Sequence, residues 1–264
     1  TLILIGRLDL PESPRWLLRK GRVKECEAMM IKLFGEPVVF DEEAPQETRF
    51  LQLFNRRHFP FVLFVAAIWT CQVIPMFAIY TFGPQIVGLL GLGAGKSAAL
   101  GNVVISLCFM LGCIPPMFWL NSAGRRPLLI GSFIMMTLAL AVLGLIPDMG
   151  AWLVVLAFAV YAFFSGGPGN LQWLYPNELF PTDIRASAVG VIMSLSRIGT
   201  IVSTWALPVF ISKYGISNVM LMGAGISLIG LLVSIAFAPE TRGLTLSQTS
   251  QMTIRSKPIA RTGY

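Results

Sequence analysis

Charged residues are scarce in this chain, and eight of them form four short clusters: Glu12 with Arg15, Arg125 with Arg126, Glu178 with Arg185, and Glu240 with Arg242. Opposite charges gathered at helix ends can pair, and pairs that exist in only one conformation bias a two-state equilibrium. The acids have no part in setting membrane topology, so pairing, as a gate, is the role expected of all eight residues. One further base, Arg197, stands alone inside the apolar run from Ala186 to Ser212. It lies roughly 18 Å beyond Arg185 if the segment is a helix rising about 1.5 Å per residue. Inserting an arginine at the bilayer centre costs about 2.5–3.5 kcal/mol, so it must face a wet cavity or an acid. No acid stands in the apolar stretches. Two partners remain: a carboxylate elsewhere in the protein, or that of a ligand, which guanidinium grips in a bidentate way.

Enzyme chemistry has little material here. The one histidine, His58, borders an apolar stretch, and Cys26, Cys71, Cys108 and Cys113 form no C-x-x-C pair. Three of these cysteines lie in apolar runs, where cysteine acts as a small hydrophobe. Intramembrane proteases and lipid transferases need paired acids, a Ser/His couple or metal ligands. No catalytic residue, metal or cofactor is therefore expected.

These residues need a membrane-embedded frame, and the composition provides one. The chain is 55% hydrophobic and 12% charged, with mean hydropathy +0.72, against roughly a quarter charged in soluble domains. Five stretches carry no charge at all: 59–95, 97–124, 127–147, 149–177 and 214–239. With Arg197's run they make six, each able to supply the about 20 apolar residues that cross a bilayer core. The predicted spans are 59–82, 97–120, 127–147, 151–175, 185–211 and 218–238, an all-α polytopic bundle over 59–240. Residues 1–10 read as the end of a preceding helix. Residues 11–58 read as a linker with amphipathic surface helices and an acidic, proline-bearing connector. The polar tail 241–264 is expected to be disordered. Thr1 is not an initiator methionine and no signal peptide precedes the spans, so six further spans are expected upstream.

The net charge of +7 and pI near 9.5 are explained by topology rather than by nucleic acid. With 11–58 on the cytoplasmic side, seventeen Lys and Arg fall inside and only Lys96 and Lys213 outside. That asymmetry puts both ends of the six-span unit in the cytoplasm, and the expected location is that of a multi-pass plasma membrane protein in a bacterial inner membrane.

Four stretches resemble signature motifs of the sugar-porter branch of the major facilitator superfamily. They are Pro11-Glu12-Ser13-Pro14-Arg15-Trp16-Leu17, Gly124-Arg125-Arg126-Pro127, Pro176-Asn177-Glu178-Leu179-Phe180-Pro181 with Arg185, and Pro239-Glu240-Thr241-Arg242-Gly243. All four come in the family's order. The resemblance implies helices seven to twelve of a twelve-span fold that works by alternating access with the other six-span half. Facilitator-type folds nest inverted repeats of three spans in each half, and here that division rests on the resemblance.

The departures are informative. Asn121 stands where the family's connector has aspartate. The family's seventh-helix amides that grip sugar hydroxyls correspond to Cys71-Gln72-Val73-Ile74-Pro75-Met76-Phe77, where only Gln72 remains. Each unpaired hydroxyl would cost about 1–3 kcal/mol, which argues against ordinary hexose transport. Trp173 matches the family's substrate-packing tryptophan. The Gly166-Gly167-Pro168-Gly169 run that precedes it is expected to open its helix near the midplane. The resulting expectation is a secondary transporter of a small polar metabolite, a sugar acid or other organic anion, coupled to protons. Arg197 and Ser196, beside Ser194, would bind substrate opposite Gln72, Phe77 and Trp173. A hexose, polyol or organic-cation transporter and a non-translocating receptor are the alternatives. No ionisable acid lies in these spans, so a proton-carrying group would have to lie in the other half.

Overall fold

The computed structural model describes residues 17, 22–34, 53–88, 96–146 and 150–242. The expectations for residues 1–10, Glu12, Arg15, the connector within 35–52 and the tail from Gly243 lie outside the described residues. The chain divides into two compact units, Thr1–Thr48 and Arg49–Tyr264.

In the first unit, α1 (Val23–Phe34) is the expected amphipathic helix. Cys26 and Met30, one turn apart, are buried with Leu17, and Met29 packs beside them. Val23 and Ile31 remain about half exposed. Arg22 stands at the helix start and pairs with Glu25 at 2.6 Å.

The second unit is a bundle of long apolar helices: α2 (Phe59–Val87), α3 (Lys96–Gly112), α4 (Ile114–Ser122), α5 (Arg125–Leu145), α6 (Ala151–Leu179) and α7 (Thr182–Phe237). Among the described residues there is no strand. α3 and α4 together make one apolar length, bent at Cys113 because Pro115 and Pro116 remove the N–H donors that would continue the ladder. Asn170 Nδ2 donates to the Cys113 carbonyl at 2.8 Å across this bend. At 56 residues, α7 is too long for one crossing. It breaks at Gly215, where φ 80° and ψ 163° are available to glycine but strained for other residues. Its two arms are the fifth and sixth predicted spans.

Lipid offers no hydrophobic drive between helices, so close packing relies on small residues. A Cβ on Gly112 would collide with the backbone of Phe163, and one on Gly166 with the backbone of Gly112. α3 and α6 therefore touch backbone to backbone. The two arms of α7 clasp α2: Gly199 lies against Thr70 and Ile74, and Gly230 against Cys71 and Phe133. α2 accordingly has 61% of its apolar window buried, and the α3–α4 length only 17%. The core is centred on α2, α5 and α6, with Trp69, Phe133, Phe158 and Tyr161 at most 2% exposed.

α6 does not open at Gly166–Gly169 as expected. It runs helical from Ala151 to Leu179 through Pro168 and Pro176. Close contact of Gly166 with α3 and of Gly167 with Ser132 of α5 holds the segment from both sides, and neighbouring helices make proline tolerable within a membrane helix.

Candidate functional site

Two groups of polar side chains stand out, one at the helix ends and one inside the bundle. The first gathers at the α4–α5 turn. Gly124 takes φ 94°, and its missing side chain leaves room for the Glu240 carboxylate. Glu240 Oε1 and Oε2 accept the backbone N–H groups of Arg125 and Arg126, each at 3.1 Å. A carboxylate here caps the open N-terminus of α5 and complements its dipole. Arg125 pairs with Glu178 at 2.7 Å, both side chains 13% exposed. A second N–H, from Arg125 Nε, reaches the same Glu178 oxygen at 3.3 Å. The Thr241 hydroxyl donates to the other oxygen of Glu178. One carboxylate thus joins α5, α6 and the segment after α7.

The remaining arginine contacts at this end go to helix-terminal carbonyls, where orphan acceptors and the dipole favour cations. Arg125 Nη1 reaches Leu120 O at 3.1 Å, Arg242 Nη1 reaches Ser122 O, and Arg126 Nη2 reaches Ile235 O at 2.8 Å. Arg185 donates to Phe180 O at 3.2 and 3.3 Å. Tyr175 adds a hydroxyl donated to Pro239 O at 3.2 Å. Of the eight residues expected to pair, five therefore share one network: Arg125, Arg126, Glu178, Glu240 and Arg242. Arg185 donates to the carbonyl that ends α6, and Glu12 and Arg15 are outside the described residues. Sequence reasoning did not point to Thr241, Ser122 or Tyr175. Thr241 stands within the Pro-Glu-Thr motif, so its signal was available; carbonyl partners have no sequence signal. At the start of α2, His58 lies against Phe180, ring centroids 6.5 Å apart. Burial first, and then the charge of Arg57, disfavour its cation and hold its pKa below the ordinary histidine value.

Inside the bundle, the exposed Arg197 places its guanidinium carbon 5.4 Å from the Phe77 ring centroid, within cation–π range. No ion pair or hydrogen bond of its side chain occurs among the described residues. Trp173, half exposed, meets Trp69 edge to face at 4.9 Å. Gln72 is 1% exposed. Its Nε2 donates to Ser165 Oγ at 3.0 Å, and its buried Oε1 has no donor among the described residues. Ser196 is fully buried, with its hydroxyl donated to Met193 O at 2.8 Å. Ser194 likewise donates to Gly190 O. The fold brings Arg197 and Phe77 together; Gln72 and Ser196 point into helix packing. Among the described residues, no group of three or more His, Cys, Asp or Glu is placed to hold a metal.

Residues 1–253 match the family model described as "Sugar (and other) transporter". The Escherichia coli K12 protein YaaU, named for metabolite transport, is 89% identical over 97% of this chain and 58% of its own length. The inner membrane metabolite transport protein YgcS of the same organism is 34% identical over 93% of this chain and 55% of its own. Among solved structures, the proton:xylose symporter XylE bound to 6-bromo-6-deoxy-D-glucose superimposes with TM-score 0.72 at 21% identity, covering 94% of this chain and 55% of that one. The chain spans about half the length of the relatives it matches.

Proposed function

We propose, from the premise that this chain belongs to the sugar-transporter family of the major facilitator superfamily, that it is one six-span half of a secondary transporter. The family is one of transporters and not of enzymes. The full-length protein would move a small polar metabolite, a sugar acid or other organic anion, by alternating access together with a second six-span half. Proton coupling would depend on an ionisable group outside the apolar stretches of these helices, since no acid lies within those stretches. The basic residues favour an orientation with the charged helix ends in the cytoplasm of a bacterial inner membrane.

One observation carries the reading: Glu178 joins α5, α6 and the segment after α7 through Arg125 and Thr241. A junction of three elements by one partly buried carboxylate would serve, intact or broken, as the two-state contact that a moving gate requires. Trp173, Phe77 and Arg197 are the proposed substrate-facing residues, with Gln72 and Ser196 supporting them from behind.

The test is uptake and counterflow in proteoliposomes holding the full-length protein, with a panel of labelled neutral sugars and sugar acids at two pH values. Saturable flux supports the proposal, and acceleration by an inward proton gradient supports coupling. Saturable binding without flux would favour the receptor reading.

A further inference from the structure

The polar inventory around Arg197 narrows the substrate class, on the premise that the transport reading above holds. Gripping a polyol requires several free donors and acceptors at fixed positions, because each unmatched hydroxyl loses its bond to water. Four polar side chains of α2 and of the first arm of α7 already spend their donors within the protein. Gln72 Nε2 is given to Ser165. Ser194, Ser196 and Thr200 donate to the carbonyls of Gly190, Met193 and Ser196 on their own helix. Arg197 differs: its side chain is exposed and its contact is the face of Phe77.

A cation–π contact engages the charge of the guanidinium and none of its N–H donors. Those donors form a planar fork, which matches a carboxylate in bidentate fashion. Phe77 thus restrains the arginine without using any of its donors. On the α6 side the half-exposed Trp173 is held edge to face by Trp69, presenting an apolar, planar surface.

We infer that Arg197 set against Phe77 is a single selectivity unit for a small carboxylate with a planar or largely apolar body, and that polyhydroxylated sugars are disfavoured. Arg197 contacts the carboxylate; Phe77 is a positioning residue that holds the guanidinium by its cation–π contact.

The experiment uses the full-length protein in proteoliposomes, with benzoate and cyclohexanecarboxylate as planar and apolar acids, gluconate as a polyhydroxy acid, and glucose as a neutral sugar. Binding is read by calorimetry and flux by counterflow. The apolar acids should bind at least about tenfold more tightly than gluconate or glucose, the span expected for polar groups left unpaired. R197Q should abolish that preference. R197K keeps the charge but loses the fork, and should retain only part of it. F77L should weaken acid binding several-fold while leaving the melting temperature near that of the parent, and F77Y should restore it. Tighter binding of glucose or gluconate, with the apolar acids unaffected by R197Q, overturns the inference. So does absence of binding by either apolar acid. Glucose or gluconate counterflow in the same vesicles would then show that transport itself survives.

Discussion

Replacing Glu178 by glutamine removes the charge that holds three elements together while keeping the shape of the side chain. In the native arrangement one oxygen takes N–H groups from Arg125 at 2.7 and 3.3 Å, and the other takes the Thr241 hydroxyl. With both partners 13% exposed, the pair lies between a surface bridge, worth about 0–1 kcal/mol, and a fully buried pair whose breakage costs about 3–5 kcal/mol. A loss of about 2–3 kcal/mol follows, or about 30- to 150-fold in an equilibrium at about 1.4 kcal/mol per tenfold. If the junction is whole only when the charged end is closed, that factor shifts the population toward the state open at this end. The assay labels a Ser194→Cys reporter, in a background with the four native cysteines replaced, using a membrane-impermeant maleimide from each side. Labelling from the charged end should rise by at least about tenfold, the shift being a population change, and labelling from the opposite end should fall. A lower melting temperature with unchanged labelling from both sides would refute the gating argument and leave the junction a static brace.

Three further expectations rest on packing, capping and titration. Gly112→Ala should cost about 1–3 kcal/mol by forcing α3 from α6, whereas Gly131→Ala, with nothing near its added carbon, should leave the thermal melt unchanged or slightly raised. Glu240→Gln should lower stability by about 1–2 kcal/mol through loss of the charge at the α5 N-terminus, and added salt should shrink the difference from the parent in chemical denaturation. His58 in the folded protein holds its proton less readily than an ordinary histidine, because burial and Arg57 disfavour its cation. The unfolded chain then binds the proton first, so stability present above about pH 6.5 falls as pH drops toward the lower folded value. His58→Gln should flatten that part of a stability-versus-pH curve.

Much of the frame is written in the order of residues. Charge-free stretches of span length specify membrane helices because a buried charge is costly and a helix satisfies its own backbone. Helix existence was therefore readable, as were the ends near Gly124 and near Pro181. The amphipathic α1 was readable too, from apolar residues spaced by charges. The clustered motifs marked which charges would meet at the helix ends, since short connectors keep them there. Tertiary structure decided the partners. Glu178 took Arg125 rather than Arg126, and Glu240 took backbone N–H groups that no sequence pattern displays. It also kept α6 helical through Pro168, because contacts from α3 and α5 outweighed a local tendency to break. The inside of the bundle was least legible. Gln72 and Ser196 have the chemistry to meet a substrate, yet their rotational position on α2 and α7 turns them into the packing. Arg197 and Phe77 are 120 residues apart, and only the packing of α2 against the first arm of α7 lays one on the other. Sequence periodicity shows which residues share a helix face, but which face meets which neighbour follows from the close packing of the whole bundle.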